Sequence, residues 1–372
     1  MKFVKKYDLV FLCNTRDFHA MDWVNSYKNL FQCEPVIFTE TRSGEGLKDL
    51  SEGYSLVHNL FIIDSFLFSN LNKLSSIYRN FLKILLIPLQ IIILKIKIKK
   101  FKLNNSIFHC HGMYYSLLAS LSGVKFISTP QGSEILIRYN SFIYRTIADF
   151  IFKKSFFVTV DSISMKKKIN KFFKEKVHII QNGIDIDLIE KIKLSGNFKR
   201  KNAVLSPRGM ISLYRIKEII FAFNSFKNNL SSLDFCYPFF DINYLREVKK
   251  LTKSKSKFFG QLNRADLIQK LIQYKYVISI PTSDSSPRSV YEAVICGCIV
   301  IVQYNEYLLS LPKQVKDRII AVDINNPNWM EEALQKAKAC TPIHSIDLET
   351  KIYLDQKYQM KKILNMINEY NE

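Results

Sequence analysis

Short runs of β-branched and aromatic residues recur along this chain, and a helical pattern follows nearly every one. "YDLVFLC", "PVIFTE", "SIFHC", "VKFIST", "SFFVTV" and "VHII" form one series; "AVLS", "LDFCY", "KFFG", "YVISIP", "CIVIV" and "RIIAV" form a second. Strands apolar on both faces must be covered above and below, and their alternation with helices demands a parallel sheet. Two such series in 372 residues mean two α/β, Rossmann-like domains of ordinary size. The rhythm pauses at the basic stretch "LSGNFKRKN", which contains Gly196 and is the expected linker. The expected domains are therefore residues 1–195 and 196–346. A long helix from Asp347 to residue 372 is expected to cross back to the first domain.

Apolar residues make up 48% of the chain, enough for two cores. The formal charge of +21 suits nucleic acid, an anionic membrane or phosphorylated substrates. A composition rich in Lys, Ile and Asn produces the same excess with no partner at all. No zinc-finger, RNA-recognition or helix-turn-helix pattern is present, so nucleic acid is not expected. Seven cysteines without paired spacing point to a reducing, cytoplasmic compartment. The start "MKFVKKYDLVFLC" reads as a basic start followed by a core strand rather than a secretory leader. His109 and His111 share a strand face, but neither they nor "CGC" at Cys296–Cys298 has further ligands at metal spacing, and no metal is expected.

One segment breaks the alternation, "FLKILLIPLQIIILKIKIKKFKL" from Phe81 to Leu103. Its uncharged part, Ile84 to Leu94, is shorter than the roughly 20 residues that span a bilayer. Two readings stand: an amphipathic helix lying on an anionic membrane, or a core helix with a solvated lysine face.

The stretch "PTSDSSPRSVYEAVICGCIVIV" (Pro281–Val302) carries the densest chemistry. It reads as strand, polar loop, short helix and strand. Ser285 or Ser286 is the expected N-cap, Pro287 the first helical residue and Gly297 the stop. Such a loop lies at the carboxyl end of a parallel strand, where open α/β sheets bind ligands and a helix N-terminus favours phosphate. Glu292, in the second turn, can reach a polar group beside it. An ordinary βαβ turn with a solvated Glu fits the same residues.

Asp284 and Glu292, separated by seven residues and continued by "EAVICG", resemble the E-x7-E-A-x-x-x-G signature of the retaining GT-B glycosyltransferases of family 4, with Asp in place of the first Glu. Four further segments carry the resemblance over nearly the whole chain. "VHIIQNGIDIDLIE" resembles the strand and N-G-I-D that lead out of the first domain. There Asn182-Gly183 is expected to make a positive-φ turn, and Asp185 reads as structural although Asp185-x-Asp187 also spells the metal motif of another glycosyltransferase fold. "AVLSPRGMISLYRIKEIIFAF" resembles the opening of the nucleotide domain: Arg208 matches the diphosphate-gripping Arg, and the later cation falls on Tyr214 or Arg215, with Lys217 two residues off. "KFFGQLNRADLIQKL" resembles the strand end beside the base, offering Gly260, Gln261 and Leu262. "FISTPQGSEIL" resembles the T-x-H-G-S-D segment on the sugar side, with Gln131 at the His position, then Gly132 and Glu134. The family's paired N-terminal glycines are replaced by "NTRDFHAMDW", where Arg16, His19, Asp22 and Trp23 are candidates to line an acceptor pocket; Trp23 reads equally as core.

The resemblance implies a GT-B fold, two Rossmann-like domains with an interdomain cleft, and a metal-independent hexosyltransferase-type enzyme needing no cofactor beyond its nucleotide-diphosphate sugar. Arg208, Arg215, Gly260, Leu262, Ser286, Ser289, Val290 and Glu292 would bind the donor. Asp284 would hold the reacting sugar. Gln131, Gly132, Glu134, Arg16 and His19 would lie on the sugar or acceptor side. The acceptor would be a glycan or a lipid-diphosphate-linked sugar, in lipopolysaccharide or capsule assembly at the inner face of a membrane. The rival expectation is a non-catalytic GT-B-like scaffold that binds a membrane or a partner.

Overall fold

The computed structural model describes residues 9–15, 17–39, 57–59, 81, 83–225, 229–252, 255–343 and 345–371. The chain divides into two compact units, one of Met1–Gln181 with Met360–Glu372 and one of Asn182–Gln359. The first is built on seven strands: β1 (Leu9–Leu12), β2 (Val36–Thr39), β3 (Val57–Asn59), β4 (Ile107–His111), β5 (Lys125–Thr129), β6 (Val158–Val160) and β7 (Val177–Ile179). They pair in parallel in the order β3-β2-β1-β4-β5-β6-β7.

Alternation along each strand sorts side chains to two faces. Val10, Leu12, Phe108, Cys110 and Phe126 meet the helices Ile87–Lys100, Met113–Ser122 and Phe142–Lys154 on one face. Leu9, Phe11, Ile37, Ile107 and Ile127 meet the helix Phe18–Phe31 on the other, together with Met360, Ile363 and Ile367 of the helix Gln356–Asn371.

The second unit repeats the plan with β8 (Lys201–Ser206), β9 (Leu233–Cys236), β10 (Phe258–Gly260), β11 (Tyr274–Ser279), β12 (Ile299–Gln303) and β13 (Ile319–Val322), all parallel, in the order β10-β9-β8-β11-β12-β13. Strand order reverses between β1 and β4 and again between β8 and β11. The carboxyl ends of those pairs are the switch points at which open α/β sheets bind ligands.

The structure corrects three expectations. The units part at Gln181/Asn182 rather than at Gly196, because Ile186, Ile189 and Ile192 of the helix Ile186–Ser195 are buried in the second unit's core. Gly183 does not have positive φ; a Cβ there would stand 2.5 Å from the Gln356 backbone. The close approach is the pairing of Ile184 N–H with Leu354 O (2.7 Å) and Gln356 N–H with Ile184 O (3.0 Å). That pairing also breaks the C-terminal helix in two, Leu348–Leu354 and Gln356–Asn371. Within the Phe81–Leu103 segment the helix Ile87–Lys100 is anchored along one side to the first unit. Gln90, Leu94 and Ile98 are buried in the first unit, and Tyr114 Oη donates to Gln90 Oε1. Its opposite side still exposes Leu85, Leu89, Ile92 and Ile96. Among the described residues no helix is long and apolar enough to cross a membrane.

Candidate functional site

β8 ends at Ser206, and two residues later Arg208 turns back over the switch point. Its Nε donates to Ser279 Oγ at the end of β11 (2.7 Å), and its Nη2 pairs with Asp284 Oδ2 (2.5 Å). The guanidinium also lies 5.3 Å from the centre of the Tyr214 ring. Asp284 is held from its other end by Asn305, whose Nδ2 donates to the Asp284 carbonyl (3.1 Å). Burial pushes the Tyr214 and Tyr307 phenols upward, with Asp284 adding to both shifts, so both remain protonated.

Beyond β11 the helix runs Arg288–Ile295. Its N-cap is Pro287, not Ser285 or Ser286, since the Ser286 hydroxyl is committed to Tyr291 Oη (2.8 Å). The Val290 N–H closes the first turn on Pro287 O (3.0 Å). Ser289 Oγ and, at the end of β8, Ser206 Oγ are buried polar atoms with no hydrogen-bond partner among the described residues. Glu292 is 1% exposed, and its carboxylate forms an ion pair with Arg264 Nη2. Arg264 opens the helix Arg264–Gln273, capped by Asn263 through Asp266 N–H (2.9 Å). That helix follows β10, whose last residue, Gly260, has φ +68°. Nothing lies within 4 Å of a Cβ there, so the left-handed backbone, not lack of space, calls for glycine. Leu262 packs against the core below. Arg215, itself left-handed at φ +51°, donates to Gln303 Oε1 at the end of β12 (2.5 Å), whereas Lys217 is tied to Glu247 on the surface.

In the first unit the candidates gather at the carboxyl end of β5. Gln131 caps the short helix Gly132–Leu136, and its Nε2 donates to Asp17 Oδ2 (2.9 Å). Asp17 in turn caps Phe18–Phe31 by accepting the His19 N–H (3.0 Å). Glu134 is buried and accepts from Gln131 N–H (2.8 Å) and from Met113 N–H (3.1 Å), the first residue of another helix. Burial raises its pKa while those two N–H groups pull it down. His19 is exposed at this rim; Arg16 lies outside the described residues. Trp23 is 1% exposed and packs edge-on to His109 (5.6 Å), so it offers no face to a sugar. Burial holds the His109 pKa down to about 3 and drives His111 well below its usual value. Among the described residues no cluster of three or more His, Cys, Asp or Glu could hold a metal ion. Asp185 caps a helix through Leu188 N–H (3.0 Å), and Asp187 pairs with Lys357.

Neither a known protein-family pattern nor a curated protein sequence matches this chain. Solved structures do. A glycosyltransferase from Rickettsia africae ESF-5 superposes over 99% of this chain and 100% of its own, with a TM-score of 0.67 at 18% identity. Anabaena Alr3699/HepE, crystallised with UDP, covers 97% and 100% with a TM-score of 0.68 at 12% identity. Sucrose-phosphate synthase from Thermosynechococcus elongatus covers 97% and 98%, TM-score 0.70, at 11% identity. The fold is GT-B.

Within the GT-B frame the second unit brings Arg208, Asp284, Ser286, Ser289, Glu292, Gly260 and Arg215 to one edge of one sheet, the carboxyl edge. Val290 sits in the core with its N–H already used. The sequence reading missed Arg264. A signal was present, because a cation in the first turn of a helix opposes the helix dipole and calls for a compensating anion. It also missed Asp17, the partner of Gln131, although an Asp one residue before an apolar helix is an N-cap signature.

Proposed function

We propose that this GT-B protein transfers a sugar from a nucleoside-diphosphate sugar, with retention of configuration, in the manner of family 4. The observation that carries the reading is Arg208, a guanidinium fixed by Ser279 and Asp284 at the switch point of the second sheet. A diphosphate there takes two parallel charge-assisted hydrogen bonds from the fork, competing directly with Asp284. Asp284, released, becomes available to the sugar hydroxyls. Glu292, steadied by Arg264, accepts from the ribose, and the buried hydroxyls of Ser206 and Ser289 gain a partner.

As the bond from the anomeric carbon to the leaving oxygen breaks, charge builds on the diphosphate, and Arg208 and the helix N-terminus stabilise it. The departing phosphate oxygen takes the proton of the acceptor hydroxyl on the same face, so neither a protein base nor a metal is required. Glu134 is spent on two backbone N–H groups, and Gln131 does not titrate, which agrees with that route.

The acceptor we propose is a glycan or a lipid-diphosphate-linked sugar in surface polysaccharide assembly. The protein would be cytoplasmic and peripheral at the inner membrane face. A panel of nucleotide sugars with native lipid acceptor, read by mass spectrometry and by the anomer formed, tests the donor, the acceptor and the stereochemistry. Turnover should survive EDTA; activity that vanished and returned with manganese or magnesium would overturn the metal-free route. Nucleotide binding without turnover on any acceptor would favour the scaffold. Asp284→Asn should tighten binding of free nucleoside diphosphate several-fold, by removing the competing carboxylate, while turnover falls. Weaker diphosphate binding in that variant would refute the competition.

A further inference from the structure

The helix Phe142–Lys154 turns Ala148, Ile151 and Phe152 into the first unit's core. Its other side should then be polar, as on an ordinary surface helix. Instead Phe142 and Ile143 are 73% and 72% exposed, and Ile147 and Phe150 are also exposed. Ile143, Ile147 and Phe150 follow i, i+4, i+7 and line up along the helix. Exposed cations flank them at Arg145, Lys153 and Lys154. The helix's one carboxylate, Asp149, is occupied by Tyr139 Oη. Just downstream Phe172 is 92% exposed between Lys171 and Lys174. A hollow of about 400 Å³ opens beside Phe142, with Arg145, Thr146 and Lys168 in its wall.

This helix and Ile87–Lys100 both pack on Met113–Ser122, on the same face of the sheet. That places the Leu85-Leu89-Ile92-Ile96 stripe, with Lys95, Lys99 and Lys100, on the same side of the unit. Two apolar stripes with basic borders need a partner that is apolar inside and anionic at its rim. A second copy of this face fits poorly: from Phe142 to Lys176 nine cations face three carboxylates, and like charges would meet. A bilayer with anionic headgroups answers both features.

We propose that Phe142–Lys154 is a second membrane-docking element beside Ile87–Lys100. Phe142, Ile143, Ile147 and Phe150 enter the headgroup–acyl boundary, and Arg145, Lys153 and Lys168 meet lipid phosphates. The proposal rests on the peripheral reading above and assigns its surface. Each cation near an anionic surface contributes about fivefold in partitioning at low salt, and the apolar stripe supplies the part that salt does not remove.

The full chain, sedimented with vesicles of phosphatidylcholine alone or mixed with phosphatidylglycerol, provides the test. The native chain should bind the anionic vesicles and be released only in part by salt. Phe142→Ser with Ile143→Ser should remove the salt-resistant fraction; Arg145→Gln with Lys153→Gln should weaken low-salt binding by on the order of tenfold or more. All four positions are exposed, so circular dichroism should be unchanged, and calorimetric nucleotide affinity should match the native chain. Indifference of the native chain to anionic vesicles would overturn the proposal. So would undiminished binding by the Phe142/Ile143 variant, or a dimer that this variant abolishes. Vesicle binding with no nucleotide binding in any variant would instead refute the donor-site reading and leave this one standing.

Discussion

The two units carry acidic residues at equivalent places, the carboxyl edge of a parallel sheet, and use them in opposite ways. In the second unit Asp284 and Glu292 face arginine side chains. In the first, Glu134 accepts hydrogen bonds from main-chain N–H groups, those of Gln131 and Met113, and ties together two helix starts. A side-chain pair at a sheet edge can be exchanged for a ligand; a carboxylate that caps two helices cannot leave without freeing both. The comparison teaches that an acid in a motif-like position is a candidate for ligand chemistry only if its present partner can be surrendered.

Four perturbations should separate these roles. Arg208→Ala should have the largest effect, up to about 3 kcal/mol in nucleoside-diphosphate affinity, with Arg208→Lys recovering part because the fork is lost. Equal calorimetric affinity in Arg208→Ala and the native chain would remove it from the donor site. Glu134→Ala should do the reverse. Two buried N–H groups lose their acceptor, and after allowing for the relief of a buried charge, stability should fall by about 2 kcal/mol in denaturant titrations. Nucleotide affinity should stay unchanged; a loss of affinity at constant stability would place Glu134 at the ligand after all.

The third perturbation is pH. His109 has a folded pKa depressed to about 3 by burial, so below its unfolded value near 6.5 the unfolded chain binds a proton that the folded chain refuses. Stability is therefore fully present above about 6.5 and falls by about 1.4 kcal/mol per pH unit below it. His111 acts in the same direction. Glu134, with its pKa raised by burial, opposes them, regaining stability as it protonates. Melting temperature measured against pH should drop on mild acidification, and His109→Gln should flatten the slope; an unchanged slope would contradict the burial argument. The smallest effect is expected from Arg264→Ala. Its side chain is 35% exposed and solvent-screened, so about 1 kcal/mol in nucleotide affinity is expected. Arg264→Lys should restore most of it. No change in Arg264→Ala would show that Glu292 keeps its geometry unaided.

Most strands were legible because each is a short apolar run bounded by polar residues. β3 was not, since three residues, Val57, His58 and Asn59, carry no periodicity. What escaped the sequence is consistently long-range. Nothing near Gly183 predicts that Gln356 will press against it, and nothing near Asp355 predicts a helix break imposed by Ile184. The acids of the donor edge could be read from spacing, but Arg264 lies 28 positions from Glu292, and its pairing exists only once β10 and β11 stand in one sheet. Trp23 shows the converse: an aromatic placed suggestively in the sequence is claimed by the core.

The fastening of Ile184 to Leu354 and Gln356 also governs the order in which the protein can be completed during synthesis. The second unit closes on itself between residues 182 and 359, so it can finish as soon as that stretch has emerged. The first unit cannot. Phe11, Trp23 and Ile127 share their core with Met360, Ile363 and Ile367, which are translated after everything else in that core. The first unit, most of which is translated before the second, is thus sealed after it, and an apolar sheet face stays open while the whole second unit is made. Until Met360, Ile363 and Ile367 emerge, that face is the kind of exposed apolar surface through which nascent chains aggregate.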